Sequence, residues 1–307
     1  MHIRPVAAAT GVLLGMSALF LPATSAQAAD PSPAPVTVAH RGASAYAPEN
    51  TLAAIDAAAE LDIDWVENDV QRTKDGKLVI VHDTTLNRTT DVEQVFPHRA
   101  PWNVADFTLK EIKRLDAGSW FGPKFAGERV PTLEQYMNQV SSNRQSLLME
   151  IKAPELYPGI ERQTLDVLRR QGWLDGHHVK RRLIIQSFSA DSVKITHELR
   201  PEVKTGFLGT PAVADLPKYA KFSDQINPSY KTVNADYVAA IQAVRGAHGR
   251  PLEVYTWTVN DAPNAVKVAD MGVDGIITNT PDVVRDAVEP ATKSDDGDAA
   301  RTAAAVA

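Results

Sequence analysis

The chain has 307 residues, 44% of them hydrophobic, with a formal net charge of −6 and no cysteine. That length and apolar content suffice for one large core, and the acidic balance leaves no basic surplus to neutralise a nucleic-acid backbone. Without cysteine there are no disulfides, thiolate nucleophiles or zinc–thiolate centres, so any metal must be held by oxygen or imidazole.

The N-terminus joins a positive stretch, Met1-His2-Ile3-Arg4, to an apolar run from Val6 to Leu21 and then to Ala26-Gln27-Ala28. This three-part pattern predicts a secretory signal peptide over residues 1–28, cleaved after Ala28, and hence a secreted protein. The run is short for a bilayer span of about 20 residues. It lacks the twin arginines of the alternative export route, and no other stretch is apolar enough to span, so no stable membrane insertion is expected. Residues 29–35 alternate proline with small residues and read as a stiff linker. The folded part is expected over 36–290, and the small, polar residues 291–307 read as a disordered tail.

Within the folded part, short β-branched runs alternate with longer helical patterns. Strands are predicted at Val36–His40, Trp65–Val70, Leu147–Ile151, Leu183–Ser187, Lys204–Leu208, Gln225–Asn227, Val254–Val259 and Gly275–Thr278. Helices are predicted at Thr51–Leu61, with Asn50 as its cap, and at Gly159–Gln171, Ala190–Leu199, Ala235–Ala247 and Ala262–Met271. Eight β/α units in about 250 residues predict a (β/α)8 TIM barrel. A further run, Leu78–His82, follows the second strand too closely for a parallel crossover. The Asp75-Gly76 pair between them suits a two-residue hairpin loop. That register would place Lys74 opposite Lys77 and Asp69 opposite His82.

Side chains alternate along a strand, so Glu67 and Asp69 share a face, as do Glu150 and Lys152. Carboxylates this close in apolar strands repel one another and lose hydration unless a cation lies between them. Three acids from neighbouring strand ends make an all-oxygen site suited to Ca²⁺ or Mg²⁺. The first predicted strand ends in His40-Arg41-Gly42, which puts an imidazole and a guanidinium on the rim where barrel enzymes carry their sites. Arg41 can offer paired donors to a phosphate, and His40 and His82 suit proton exchange near neutral pH.

These residues carry a family resemblance. In order along the chain stand His40-Arg41-Gly42, Glu49-Asn50-Thr51, Glu67-Asn68-Asp69-Val70, Thr73-Lys74-Asp75-Gly76, His82-Asp83 and Arg88-Thr89-Thr90. Asp116-Ala117-Gly118, Val130-Pro131-Thr132-Leu133-Glu134, Glu150-Ile151-Lys152, Gln186-Ser187-Phe188, Trp257-Thr258-Val259-Asn260 and the run from Gly272 to Asn279 follow. The set resembles the glycerophosphodiester phosphodiesterases over nearly the whole predicted mature chain. The resemblance implies that His40 and His82 are the catalytic pair and that Glu67, Asp69 and Glu150 hold one divalent cation, Ca²⁺ or Mg²⁺. It also implies that Arg41 and Lys152 meet the phosphate of a small glycerophosphodiester, and that residues 83–127 form an insertion capping the barrel mouth.

Trp257 reads either as barrel filling or as a platform for the glycerol carbons. Trp120 and Phe121 either line the mouth or pin the insertion. Which histidine is acid and which is base stays open, as does whether water or a glycerol hydroxyl attacks. The same barrel could act on lysophospholipids or teichoic-acid glycerophosphate polymers, and a non-catalytic phosphodiester-binding protein is the alternative outside enzymes.

Overall fold

The computed structural model describes residues 1–2 and 34–289, so the predicted signal peptide, most of the proline linker and the tail lie outside the described residues. Strands β1 (Val36–Ala39), β2 (Trp65–Arg72), β3 (Leu78–Ile80), β4 (Ser146–Ile151), β5 (Leu183–Ser187), β6 (Lys204–Leu208), β7 (Gln225–Asn227), β8 (Glu253–Thr256) and β9 (Gly275–Thr278) form one sheet. Eight run parallel, and pairing of β1 with both β2 and β9 closes the ring. With helices between the strands this is the expected (β/α)8 barrel. Strands covered on both faces need apolar residues on both, which is why β4 reads Ser-Leu-Leu-Met-Glu-Ile and is buried throughout. Among the described residues no helix is long and apolar enough to cross a membrane.

The barrel interior is layered. Val38, Leu148, Ile184, Tyr255 and Ile277 pack into an apolar plug. Two residues further along their strands, towards the C-terminal rim, Leu148 gives way to Glu150, Ile184 to Gln186 and Val38 to His40. The period of two therefore stacks a polar layer directly on the plug. Larger apolar clusters outside the ring, one around Ile55, Met137, Leu147 and Leu168 and one around Ile226, Val254 and Ile276, bind the helices to the strands.

The hairpin register differs from the prediction by one residue. Its loop is Lys74-Asp75-Gly76, with Thr73 N donating to Lys77 O at 2.8 Å and Gly76 N to Thr73 O at 3.0 Å. Gly76 takes φ +74°, the left-handed position that ends a three-residue loop. β2 and β3 accordingly pair Val70 with Ile80, and Val81 rather than His82 donates to Asp69 O, at 3.0 Å.

The cap of the first helix, Leu52–Glu60, is Thr51 and not Asn50: Thr51 Oγ1 accepts from Ala54 N. Strand β8 stops at Thr256, short of the predicted Val259, and the helix from Ala235 ends at Gln242. Helices at Leu133–Ser142, Gly176–Arg181 and Pro281–Val288 were not foreseen.

Candidate active site

Loop geometry at the end of β1 sets up half of the site. His40 N still donates to Thr278 O at 2.8 Å, so the side chain emerges on the C-terminal rim beside β9. Arg41 and Gly42 then both turn left-handed, at φ 58° and 77°. For an arginine this costs on the order of 1–2 kcal/mol. The turn aims Arg41 N–H at Glu67 Oε2, 2.9 Å away. Gly42 cannot be replaced freely, because a methyl group there would lie 2.6 Å from backbone atoms of Ala54. Gly42→Ala is expected to destabilise by about 1–3 kcal/mol, read by calorimetry as a fall in Tm of about 2–8 °C; an unchanged Tm would show that the loop has slack.

The parallel register of β2 with β4 sets Asp69 beside Glu150, and Glu67 lies two residues back on the same face. Oxygen atoms of the three carboxylates all lie within 4.8 Å of one another, in buried positions. Burial alone would raise all three pKa values. At Asp69 the nearby charges of Arg41 and Lys152 outweigh it, helped by Asn50 Nδ2 donating to Oδ2 at 2.8 Å, and the group is held below its ordinary value. Glu67 is pushed well above its ordinary value by burial and then by Asp69 and Glu150. Glu150 is pushed to about 8 by burial and Asp69, although Lys152 Nζ stands 2.8 Å from its Oε1.

Without a cation, then, the cluster favours one negative charge and resists the others. Asp69 Oδ1 is buried without a hydrogen-bond partner. An orphaned carboxylate oxygen among two further carboxylates fits a hard divalent ion.

Both predicted histidines reach this cluster's cleft, but by different routes. His40 is half-buried, and its Nδ1 lies 2.7 Å from Asn279 Oδ1, which also accepts from Ser44 Oγ. Its pKa falls to about 4, first through burial and then through the charge of Arg41. His82 lies beyond the last ladder residue of β3. The side-chain amide nitrogen of buried Gln71 turns the chain there, 2.7–3.0 Å from the carbonyl oxygens of Val81, His82 and Asp83. His82 Nδ1 pairs with Asp83 Oδ1 at 2.7 Å. Burial lowers the His82 pKa, while Asp69 and Asp83 oppose the fall.

These groups line one open cleft. In the order of the strands round the ring, the β1, β2 and β4 side contributes His40, Arg41, Glu67, His82, Glu150 and Lys152, with Asp69 in the same carboxylate cluster, and the β5, β6, β8 and β9 side contributes Gln186, Phe188, Leu208, Trp257, Thr258 and Ile277, a mainly apolar set. Trp257 Nε1 donates to Asn227 O at 2.8 Å, and the ring meets Phe188 edge to face at 5.4 Å. All eight predicted site residues therefore belong to this one region. Trp120 and Phe121 do not line the cleft; they stack on each other and, through Phe121, on Phe125.

Residues 83–127 carry a small core of their own, with Leu86, Val92, Phe107, Ile112 and Leu115 in contact with Val79 and Val81. The sequence pattern gives no role to Gln71, Asp83, Arg88, Glu49 or Asn279 and reads Asn50 only as a helix cap, although all but Gln71 stand inside the motifs quoted above. Asp116, also in a motif, is a loop hub whose carboxylate accepts from Gly118 N, Ser119 N, Ser119 Oγ and Gly127 N.

Cationic groups that attract an anion, imidazoles that exchange protons and acids that fit a metal are the equipment of a phosphoric ester hydrolase on a (β/α)8 barrel. Comparison with known proteins narrows the class. Residues 40–283 match the glycerophosphoryl diester phosphodiesterase family, and the chain belongs to it. It is 36% identical to a glycerophosphodiester phosphodiesterase of Bacillus subtilis over 81% of this chain and 84% of that one. A relative from Caldanaerobacter subterraneus, also called glycerophosphodiester phosphodiesterase, is 36% identical over 81% of this chain and 96% of its own. Among solved structures, an Oleispira antarctica phosphodiesterase in complex with the product sn-glycerol-3-phosphate superposes with a TM-score of 0.71 at 29% identity, covering 84% of this chain and 98% of that one.

Proposed function

We propose that this glycerophosphodiester phosphodiesterase is a secreted, metal-dependent enzyme that cleaves small glycerophosphodiesters to sn-glycerol 3-phosphate and a free alcohol. The observation that carries the reading is the mixed lining of the cleft, which joins both imidazoles and the cationic groups from the β1, β2 and β4 side to Phe188, Leu208 and Trp257 from the β5, β6 and β8 side. A diester needs both surfaces, since its phosphate is anionic and its glycerol carbons are not.

In this reading Glu67, Asp69 and Glu150 hold Ca²⁺ or Mg²⁺, which when bound would neutralise phosphate charge and acidify a coordinated hydroxyl. Arg41 and Lys152 bind the phosphate oxygens and balance the charge that grows on them during displacement. Trp257, backed by Phe188, takes the carbon face of glycerol.

His40 acts as general base. Its Nδ1–H is used on Asn279, its second nitrogen keeps the lone pair, and its low pKa keeps it neutral. His82 acts as general acid, because the Asp83 carboxylate on its Nδ1 favours the imidazolium that a neutral amide oxygen favours less. The base takes a proton from water, whose attack gives sn-glycerol 3-phosphate directly, or from the neighbouring glycerol hydroxyl, whose attack gives a cyclic phosphate that water then opens; in either case the acid delivers a proton to the departing alkoxide.

Coupled glycerol 3-phosphate release from glycerophosphocholine, glycerophosphoethanolamine and a glycerophosphate polymer, measured beside choline release from lysophosphatidylcholine, tests the substrate class. Release is expected from the first two. Turnover confined to the lysolipid or the polymer would replace this reading with a lysophospholipase D-like or teichoic-acid hydrolase. The three-part N-terminus supports export, and a mature protein in culture medium beginning at Ala29 is the expected result.

A further inference from the structure

Both imidazoles of the cleft are held through Nδ1, but only one of them by a distant residue. His40 is gripped by Asn279, which the closing strand delivers. His82 relies on Asp83, its own neighbour in sequence. Side chains of adjacent residues ordinarily diverge, so nothing local keeps Asp83 turned towards the ring.

Arg88 supplies that constraint. Its Nε donates to Asp83 Oδ2 at 2.5 Å and its Nη2 to Oδ1 at 3.2 Å. Its Nη1 and Nη2 also donate to Glu49 Oε2 and Oε1, at 2.8 and 2.7 Å. Glu49 Oε1 in turn accepts from Arg41 Nη1 at 2.9 Å. One planar guanidinium thus spans two carboxylates, one beside His82 and one on the loop that follows His40 and Arg41. The arginine side chain is 43% exposed, and exposed ion pairs add little to the strength of a fold. A fork engaged on both sides does add geometry, and a lysine could not reproduce it.

We propose that Arg88 is a positioning residue for catalysis: by holding Asp83 and Glu49 together it keeps His82 at a set distance and angle from His40 and Arg41 across the bound diester. The inference rests on His82 being a proton-transfer group, as argued above.

Steady-state kinetics on glycerophosphocholine test it, using Arg88→Ala, Arg88→Lys, His82→Ala and the double variant His82→Ala/Arg88→Ala. Arg88→Ala is expected to lose about 10–100-fold in kcat, the scale of a misplaced catalytic group, with KM changed by less than about threefold. Arg88→Lys keeps the charge and the fold but should recover little of kcat. Millimolar guanidinium should restore Arg88→Ala by about fivefold or more, as the planar fork returns. In the His82→Ala background the Arg88 substitution should cost less than about a further factor of two in kcat, because there is no ring left to position.

Wild-type kcat in Arg88→Lys and Arg88→Ala, or a loss that multiplies fully with that of His82→Ala, would overturn the proposal while leaving His82 catalytic. Full activity in His82→Ala would instead remove the reading on which it rests.

Discussion

Replacing His82 with alanine is expected to lower kcat by about 10²–10⁴-fold while KM changes little, the signature of a group whose main work is in the transition state. His82 lines the cleft, but in the proposed mechanism phosphate attraction falls mainly to Arg41 and Lys152, so ground-state binding should survive the change. His40→Ala should lose a similar factor, and the two variants should differ in their dependence on pH. An acid must carry its proton, so wild-type kcat should fall as pH rises through the pKa of His82 in the bound complex. A base must be neutral, so activity should fall as pH drops towards the pKa of His40, about 4 in the free protein. His82→Ala should therefore lose the alkaline limb and keep the acidic one. A variant that keeps the alkaline limb and loses the acidic one would reverse the two roles.

Chelation of divalent cations is expected to abolish turnover, with recovery on adding Ca²⁺ or Mg²⁺ but not Zn²⁺. The electrostatics of the site add two readouts independent of activity. Glu150 and Glu67 have pKa values raised in the folded protein, so between the unfolded value of 4.5 and the folded value the native state holds more protons than the unfolded one. Stability of the metal-free protein should then fall as pH climbs from about 5 towards 8. Calcium should flatten that slope by taking the place of the protons.

Glu67→Gln removes one of the repelling charges. It is expected to raise the Tm of the metal-free protein at pH 8 by about 2–6 °C, while reducing activity by about 10²-fold or more, within the scale of a lost charge-stabilising group. Calorimetry showing no gain in Tm and no effect of calcium on the pH slope would refute a shared cation at Glu67, Asp69 and Glu150.

Much of this site is legible in the chain because a strand has a period of two. Glu67 and Asp69, and likewise Glu150 and Lys152, had to share a face once their runs were read as strands, and eight such runs separated by helical patterns had to close into a barrel. His40 and Arg41 followed from their place just beyond the first run. Local turn chemistry was less decisive. Asp75-Gly76 suits a two-residue loop, yet the chain uses Gly76 to end a three-residue one, which moves Val81 opposite Asp69. Asn50 looked like a helix cap because Asn and Thr both serve that purpose, whereas its burial beside Asp69 depends on a strand nineteen residues away.

His82 reaches the cleft although Val81, not His82, lies opposite Asp69, because Gln71 holds the chain in a bend after β3. No periodic pattern encodes that bend. Nor does any pattern encode the partner of His40, which lies 239 residues further along the chain and arrives only when β9 pairs with β1 and closes the ring. Side-chain alternation and apolar runs, properties of neighbouring residues, determined the barrel and its acids by themselves. The orientation of both imidazoles was decided by tertiary structure alone, since it depends on contacts between segments that meet only after the chain has folded.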